Sequence, residues 1–188
     1  MPDIIGIYAA IIGTLGFILA IYFAHPSNKL ELTIDENSQN NFADARVVNI
    51  PETPVARYFH IIVKNNHKRK AAKNCRVYLS SIKEIGNEKE FLSSELPLKW
   101  RGYQIIMIGI EIPPKQERKF DAFQIFHQNP SELQINAFID SSSLMPRLSG
   151  NKKLKAIYRV TADNFKTKEK TFIITLSTNL NDVAIHLI

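Results

Sequence analysis

From Ile4 to Ala24 the chain reads IIGIYAAIIGTLGFILAIYFA, without one charged side chain. As a helix this stretch would be about 31 Å long, close to the hydrocarbon thickness of a bilayer. No face of it is polar, which argues against an amphipathic helix lying on a soluble core. The pattern predicts a transmembrane anchor over residues 1–26 and one further domain over 27–188. A cleaved secretory signal is the competing interpretation. Such a signal carries basic residues ahead of its apolar region and small residues at its exit. Here Met1-Pro2-Asp3 precede the run, and it leaves through Ile21-Tyr22-Phe23-Ala24-His25-Pro26. Tyr22 and Phe23 suit a membrane interface and Pro26 stops a helix, so a retained single-pass helix is expected.

Gly6, Ala10, Gly13, Gly16, Ala20 and Ala24 recur at steps of three and four along this helix. Small-residue faces allow close helix approach and so leave a homodimer open, although Gly and Ala are also common in membrane helices generally. Lys29 is the one Lys or Arg in the first 20 residues after the helix, against none before it. That asymmetry leans towards a cytosolic domain, with the opposite face still open.

All 24 Lys and Arg lie past the helix, as do all but Asp3 of the 18 acids. The domain is therefore basic, which favours association with anionic surfaces but carries no information about fold. Cys75 stands alone, so no intrachain disulfide and no Cys-rich metal site can form. Stability must come from a packed core.

Period-two alternation dominates the rest of the chain. Leu30, Leu32 and Ile34 alternate with Glu31, Thr33 and Asp35, as a half-buried strand would. Residues 35–56, polar and containing Pro51 and Pro54, read as an irregular loop with a short strand near Arg46–Ile50. Phe59, Ile61 and Val63 then oppose Tyr58, His60 and Lys64, and Cys75, Val77 and Leu79 oppose Arg76, Tyr78 and Ser80. Ser81–Leu92 is compatible with a short helical turn. Ile105–Ile112 is nearly all apolar, as a central strand covered on both faces would be, and Pro113-Pro114 ends it. Phe120–Phe126 and Leu133–Ile139 read as strands, and Asp140–Gly150 as a loop. Leu154, Ala156, Tyr158 and Val160, the Asp163-Asn164 turn, and Phe172, Ile174 and Leu176 form a closing hairpin. The expectation is an all-β fold, a β-sandwich of seven to nine strands.

The segment from Val63-Lys64-Asn65-Asn66 to Ala71-Ala72-Lys73-Asn74-Cys75-Arg76-Val77-Tyr78-Leu79 resembles the second hairpin of immunoglobulin-like modules. It looks most like the bacterial and archaeal cell-adhesion-related (CARDB-type) domain, in which a strand ends in Asn and an Ala-x-Asn leads into the next. The Tyr158–Leu176 hairpin with Ala162-Asp163-Asn164 is similar to the closing strands of such modules. This chain has His67-Lys68-Arg69-Lys70 where that family turns on Gly. The resemblance implies an immunoglobulin-like sandwich that binds or adheres, with no catalytic residues to carry over.

Between Lys64 and Arg76 the chain holds Lys64, Lys68, Arg69, Lys70, Lys73 and Arg76 and no acid. Lys68, Arg69, Lys70 and Lys73 are candidate contacts for anionic headgroups or a protein partner; a solvated loop that keeps a sheet edge from aggregating is the plainer alternative. Nucleic acid is disfavoured, because neither interleaved aromatics nor a groove-sized helix accompanies the charge. Trp100, Arg101 and Tyr103 are a second candidate, as aromatics and Arg dominate binding hot spots, against core packing of the Trp.

Chemistry is otherwise thin. His25, His60, His67, His127 and His186 show no zinc-ligand spacing, and His60 and His127 read as outward-facing strand residues. Cys75 falls on an apolar strand face, where an inert thiol is usual. Asp140-Ser141-Ser142-Ser143 reads as a Ser-rich turn rather than a metal site. No catalytic motif, cofactor site or metal site is expected. The function expected is that of a single-pass, membrane-anchored binding module. The alternatives are a membrane-bound enzyme whose site draws on His60, His127, Asp121, Asp140 and Asp163, and a structural subunit whose Ile105–Ile112 strand another chain completes.

Overall fold

A computed structural model describes residues 4–24, 29–33, 42–47, 50–87, 89–92, 94–102, 109–134 and 148–188. The described residues contain one α-helix, α1 (Ile4–Ala24), and two sheets. The side chains described along α1, over 6–21, are exposed on every face. Those sixteen residues span about 24 Å. Among the described residues no helix is long and apolar enough to cross a membrane.

The first sheet holds β1 (Leu30–Thr33), β2 (Phe42–Val47), β3 (Ile50–Asn65), β7 (Glu117–Phe126), β8 (Asn129–Gln134) and β9 (Leu148–Ser149). Its order is β1-β3-β7-β8-β9, with β2 also paired to β3. The second holds β4 (Ala72–Glu84), β5 (Leu96–Pro97), β6 (Ile110–Ile112), β10 (Lys152–Ala162), β11 (Phe165–Leu176) and β12 (Ala184–Leu187). Its order is β12-β11-β10-β4-β5, with β6 also on β4. Every pairing among the described residues is antiparallel.

Alternation explains why the sheets stack. Leu30 and Leu32, then Phe59, Ile61 and Val63, turn inwards from the first sheet. Cys75, Val77 and Leu79, Leu154 to Val160 at every second residue, and Phe172, Ile174 and Leu176 turn inwards from the second. They meet in a single core in which Tyr158 packs edge-on to Phe172 and tilted against Phe120. Each large side chain buried this way contributes about 1.5–3 kcal/mol.

Several expectations are corrected. The described residues form twelve strands, not seven to nine, because short edge pieces such as β5 and β9 pair where the sequence shows no alternation. Residues 50–56 belong to the 16-residue β3 despite Pro51 and Pro54. These prolines lie opposite β2, where its pairing with β3 slips register twice; β7 joins β3 only from Ala56. The described residues of Ser81–Leu92 form no helical turn: β4 runs on to Glu84, and residues 85–87 turn. Of Ile105–Ile112, the described strand is Ile110–Ile112, which lies at the rim of the second sheet with Glu111 exposed; residues 105–108 lie outside the described residues. The same holds for 135–147, hence for most of Leu133–Ile139 and of the Asp140–Gly150 loop. The hairpin β10–β11 is not the last element, since β12 adds to its edge.

Candidate interaction site

Asn65 closes β3 with only 1% of its surface exposed. A buried amide must find partners for its polar atoms. Its Nδ2 donates to the carbonyls of Lys70 and Ile112, both at 2.9 Å, and its Oδ1 accepts from the His67 amide at 3.0 Å. His67 then organises the next turn. Its Nδ1 accepts from the amides of Arg69 at 3.1 Å and Lys70 at 2.8 Å, so that nitrogen carries no proton. The imidazole stands edge-on to Phe165 of β11, with centroids 6.1 Å apart. The basic loop is therefore a shaped element, from which Lys68 and Arg69 project into solvent.

Its second side is clasped by the β10–β11 turn. Lys73 donates its amide to Asn164 Oδ1 at 2.9 Å, Asn164 Nδ2 returns a bond to the Ala71 carbonyl at 2.8 Å, and the Asp163 amide reaches the Lys73 carbonyl at 3.0 Å. Asn74 adopts φ 52° and donates from Nδ2 to Asp163 Oδ1 at 3.0 Å. This left-handed residue sits in the register slip between β4 and β6. Gly109 fits against it because a Cβ there would lie 1.7 Å from Asn74 Oδ1 and 2.7 Å from its Cα.

Trp100–Tyr103 is a different kind of feature. Trp100 is 5% exposed, so it offers no open ligand platform. Its Nε1 donates to the Cys75 carbonyl at 3.2 Å, while its ring packs edge-on to Phe120 and its backbone bridges to that residue. The chain pairs with β4 at Leu96–Pro97 and reaches β7 at Trp100, so this side chain ties the two sheets together. Core or rim packing was weighed ahead of a binding role for this residue, and the indole is buried. Arg101 is exposed, and Tyr103 lies outside the described residues.

Among the enzyme candidates, His60 and Asp121 are cross-strand partners with Nδ1 and Oδ1 2.8 Å apart. The expectation that His60 faces solvent is wrong: it is 7% exposed. The two groups lie at ion-pair distance and are both largely buried. Asp121, after burial, also helps raise the Tyr58 phenol above its ordinary value. His127 follows the far end of β7, Asp163 belongs to the β10–β11 turn, and Asp140 lies outside the described residues. The four that are described are thus not gathered at one place. Cys75 donates weakly to the Ala72 carbonyl at 3.5 Å, and burial pushes its thiol up to about 12. Ser141 to Ser143 lie outside the described residues, among which no three His, Cys, Asp or Glu side chains group as metal ligands.

As site residues, sequence reasoning did not single out Asn65, which entered only through the family resemblance, Lys29, which entered only through the orientation of the helix, Gly109 or Lys115. The Asn65-Asn66 pair at the end of an alternating run was the available signal for the first. The other three depend on which strands lie side by side. No family model matches the chain, and neither the curated proteins nor the solved structures include a match to it.

Proposed function

We propose that this chain is a single-pass membrane protein in which α1 tethers an immunoglobulin-like β-sandwich, acting as a binding module close to the membrane surface. The supporting observation is α1 itself. Ile7, Tyr8, Ile11, Ile12, Leu15, Phe17, Ile18, Leu19 and Ile21 are 41–69% exposed around the whole helix, while the sandwich closes its own core without them. Thr14 turns its hydroxyl back onto the Ala10 carbonyl at 2.8 Å, the arrangement that hides a hydroxyl from lipid. Counted over its full 21 residues, Ile4–Ala24, the helix reaches about 31 Å.

The strand order supports the immunoglobulin-like part. With β1, β3 and β7 as strands A, B and E, and β11, β10 and β4 as G, F and C, the two sheets read A-B-E and G-F-C. The ends of such a sandwich offer loops on a rigid frame, which suits recognition. The hydrogen bonds of Asn65 and the left-handed Asn74 after Ala72-Lys73 supply a reason for the two Asn positions on which the CARDB-type resemblance rests. On this reading Lys29 leans the sandwich towards the cytosolic face.

Carbonate extraction of cells expressing the full chain tests the anchor. The protein should stay in the membrane pellet, and a chain lacking residues 1–26 should leave it. Soluble mature protein beginning near His25 would overturn the proposal. A reporter fused after Ile188 decides the side.

A further inference from the structure

The register of β1 fixes which end of the sandwich lies beside the tether. Leu30 pairs with Asn65, and the Asn66 amide donates to the Lys29 carbonyl at 2.9 Å. The first residue of the sandwich is therefore next to the basic loop. On the other side of Asn65, its carbonyl accepts from the Lys115 amide and its amide donates to the Gln116 carbonyl, both at 2.9 Å. The β10–β11 turn completes this end through its bonds to Ala71 and Lys73. Three loops and the tether thus converge on one face.

That face is basic and exposed. Lys29, Lys68, Arg69, Lys73, Lys115 and Lys166 are all exposed there. Among the described residues, Lys68, Arg69, Lys73 and Lys115 have no carboxylate partner. The acids nearby are largely engaged: Glu31 by Asn66 at 2.7 Å, Asp163 by Asn74, and Glu117 by Lys64 at 3.7 Å. Glu111 is exposed on β6. Between β1 and β11 a cavity of about 310 Å³ is lined by Lys29, Glu31, Asn66, Lys168, Glu169 and Lys170. Lysines outnumber glutamates there too.

Chain length brings this face to the bilayer. Five peptide units separate Ala24 from Lys29. At about 3.3–3.6 Å per residue they span at most about 18 Å. A headgroup layer of about 5–8 Å and a Debye length of about 8 Å cover most of that reach.

We infer that the loop end formed by residues 66–73, 113–116 and 163–166 docks on anionic phospholipid headgroups of the leaflet from which α1 emerges. The inference rests on α1 being a membrane anchor. Docking would orient the sandwich, so that its opposite end faces away from the bilayer towards any partner. Each basic side chain that meets the surface strengthens the association about fivefold.

The full chain, reconstituted in nanodiscs of phosphatidylcholine alone or with phosphatidylserine, provides the test, read by amide hydrogen exchange. Incorporation is scored first: a chain that fails to insert removes both the anchor and the docking. Once inserted, the amides of residues 66–73 and of Lys115 and Gln116 should exchange at least fivefold more slowly in phosphatidylserine discs. The protection should vanish in high salt. Lys68/Arg69/Lys73→Ala should weaken docking on the order of a hundredfold, whereas Lys83/Lys89→Ala at the other end should leave it unchanged. Exchange in β10 reports that each variant is folded. Equal exchange in the two discs, with normal insertion, overturns the docking alone. Protection produced in phosphatidylcholine discs by inorganic phosphate or by polyglutamate, but not by phosphatidylserine, also overturns it, in favour of a free anion or an acidic protein.

Discussion

The two ends of the sandwich handle charge in opposite ways. At the end away from the tether, Lys83 lies 3.7 Å from Glu90 and Lys152 3.3 Å from Glu84, with Arg159 paired to Glu95 further along the sheet. Hydrogen bonds from the Ile82 amide and Ser81 outweigh the burial that alone would raise the Glu90 carboxyl, and hold it below its ordinary value. At the tethered end, backbone and amide groups satisfy one another while Lys68, Arg69, Lys73 and Lys115 stay without acids among the described residues. Surface ion pairs contribute little stability, so the difference lies in the field each end presents. One end sets several of its cations against acids; the other is shaped within and leaves its cations to the solvent.

Truncating the sheet-to-sheet tie should have the largest effect. Trp100→Ala removes a buried indole and its bond to Cys75, and should cost about 3–5 kcal/mol in denaturant unfolding, while Arg101→Ala should cost little. Asn65→Ala leaves the Lys70 and Ile112 carbonyls and the His67 amide without their partner, at about 2–4 kcal/mol. Hydrogen exchange should then rise around 66–73 and not around 85–90; a uniform rise would break the contrast between the ends. Gly109→Ala should cost about 1–3 kcal/mol, because the Asn74 backbone as well as its amide must move.

Alkaline pH probes the same region. The Cys75 thiol is raised from 9.0 to about 12 in the folded chain, chiefly by burial. Its contribution is fully present below pH 9 and is lost as pH rises towards about 12. At pH 10 the loss should be about 1.4 kcal/mol, and a Cys75→Ala variant should show a correspondingly flatter profile between pH 8 and 10. Smallest of all, Glu84→Gln at the far end should change stability by about 0–1 kcal/mol, and the change should fade in high salt.

Where one face of a strand is buried and the other wet, the chain was legible. Leu154, Ala156, Tyr158 and Val160 alternate without interruption and are all core residues. Legibility failed where parity slips. On β4 the buried set passes from Leu79 to Ile82 because the pairing with β10 shifts between Ile157 and Tyr158, so the pattern ceased to look like a strand. A similar shift between Phe59 and His60 accompanies burial of His60 and Ile62, on the face that alternation assigns to solvent. β12 follows a 3-10 turn at Leu180–Asp182 and buries only Ile185, too little for a pattern to show. The cations of the 64–76 segment were plain in the sequence. Their neighbours Lys29 and Lys115 were not, since contacts 30 to 50 residues apart depend on register alone.

The shortness of β1 has a mechanical consequence. Load passing between helix and sandwich would enter at Lys29 and fall first on a four-pair ladder, Leu30–Thr33 against Ile62–Asn65. The long hairpin of β10 and β11 lies off that path. A tug on the tether would therefore peel one small strand before it strained the rest, making β1 the fuse of the module.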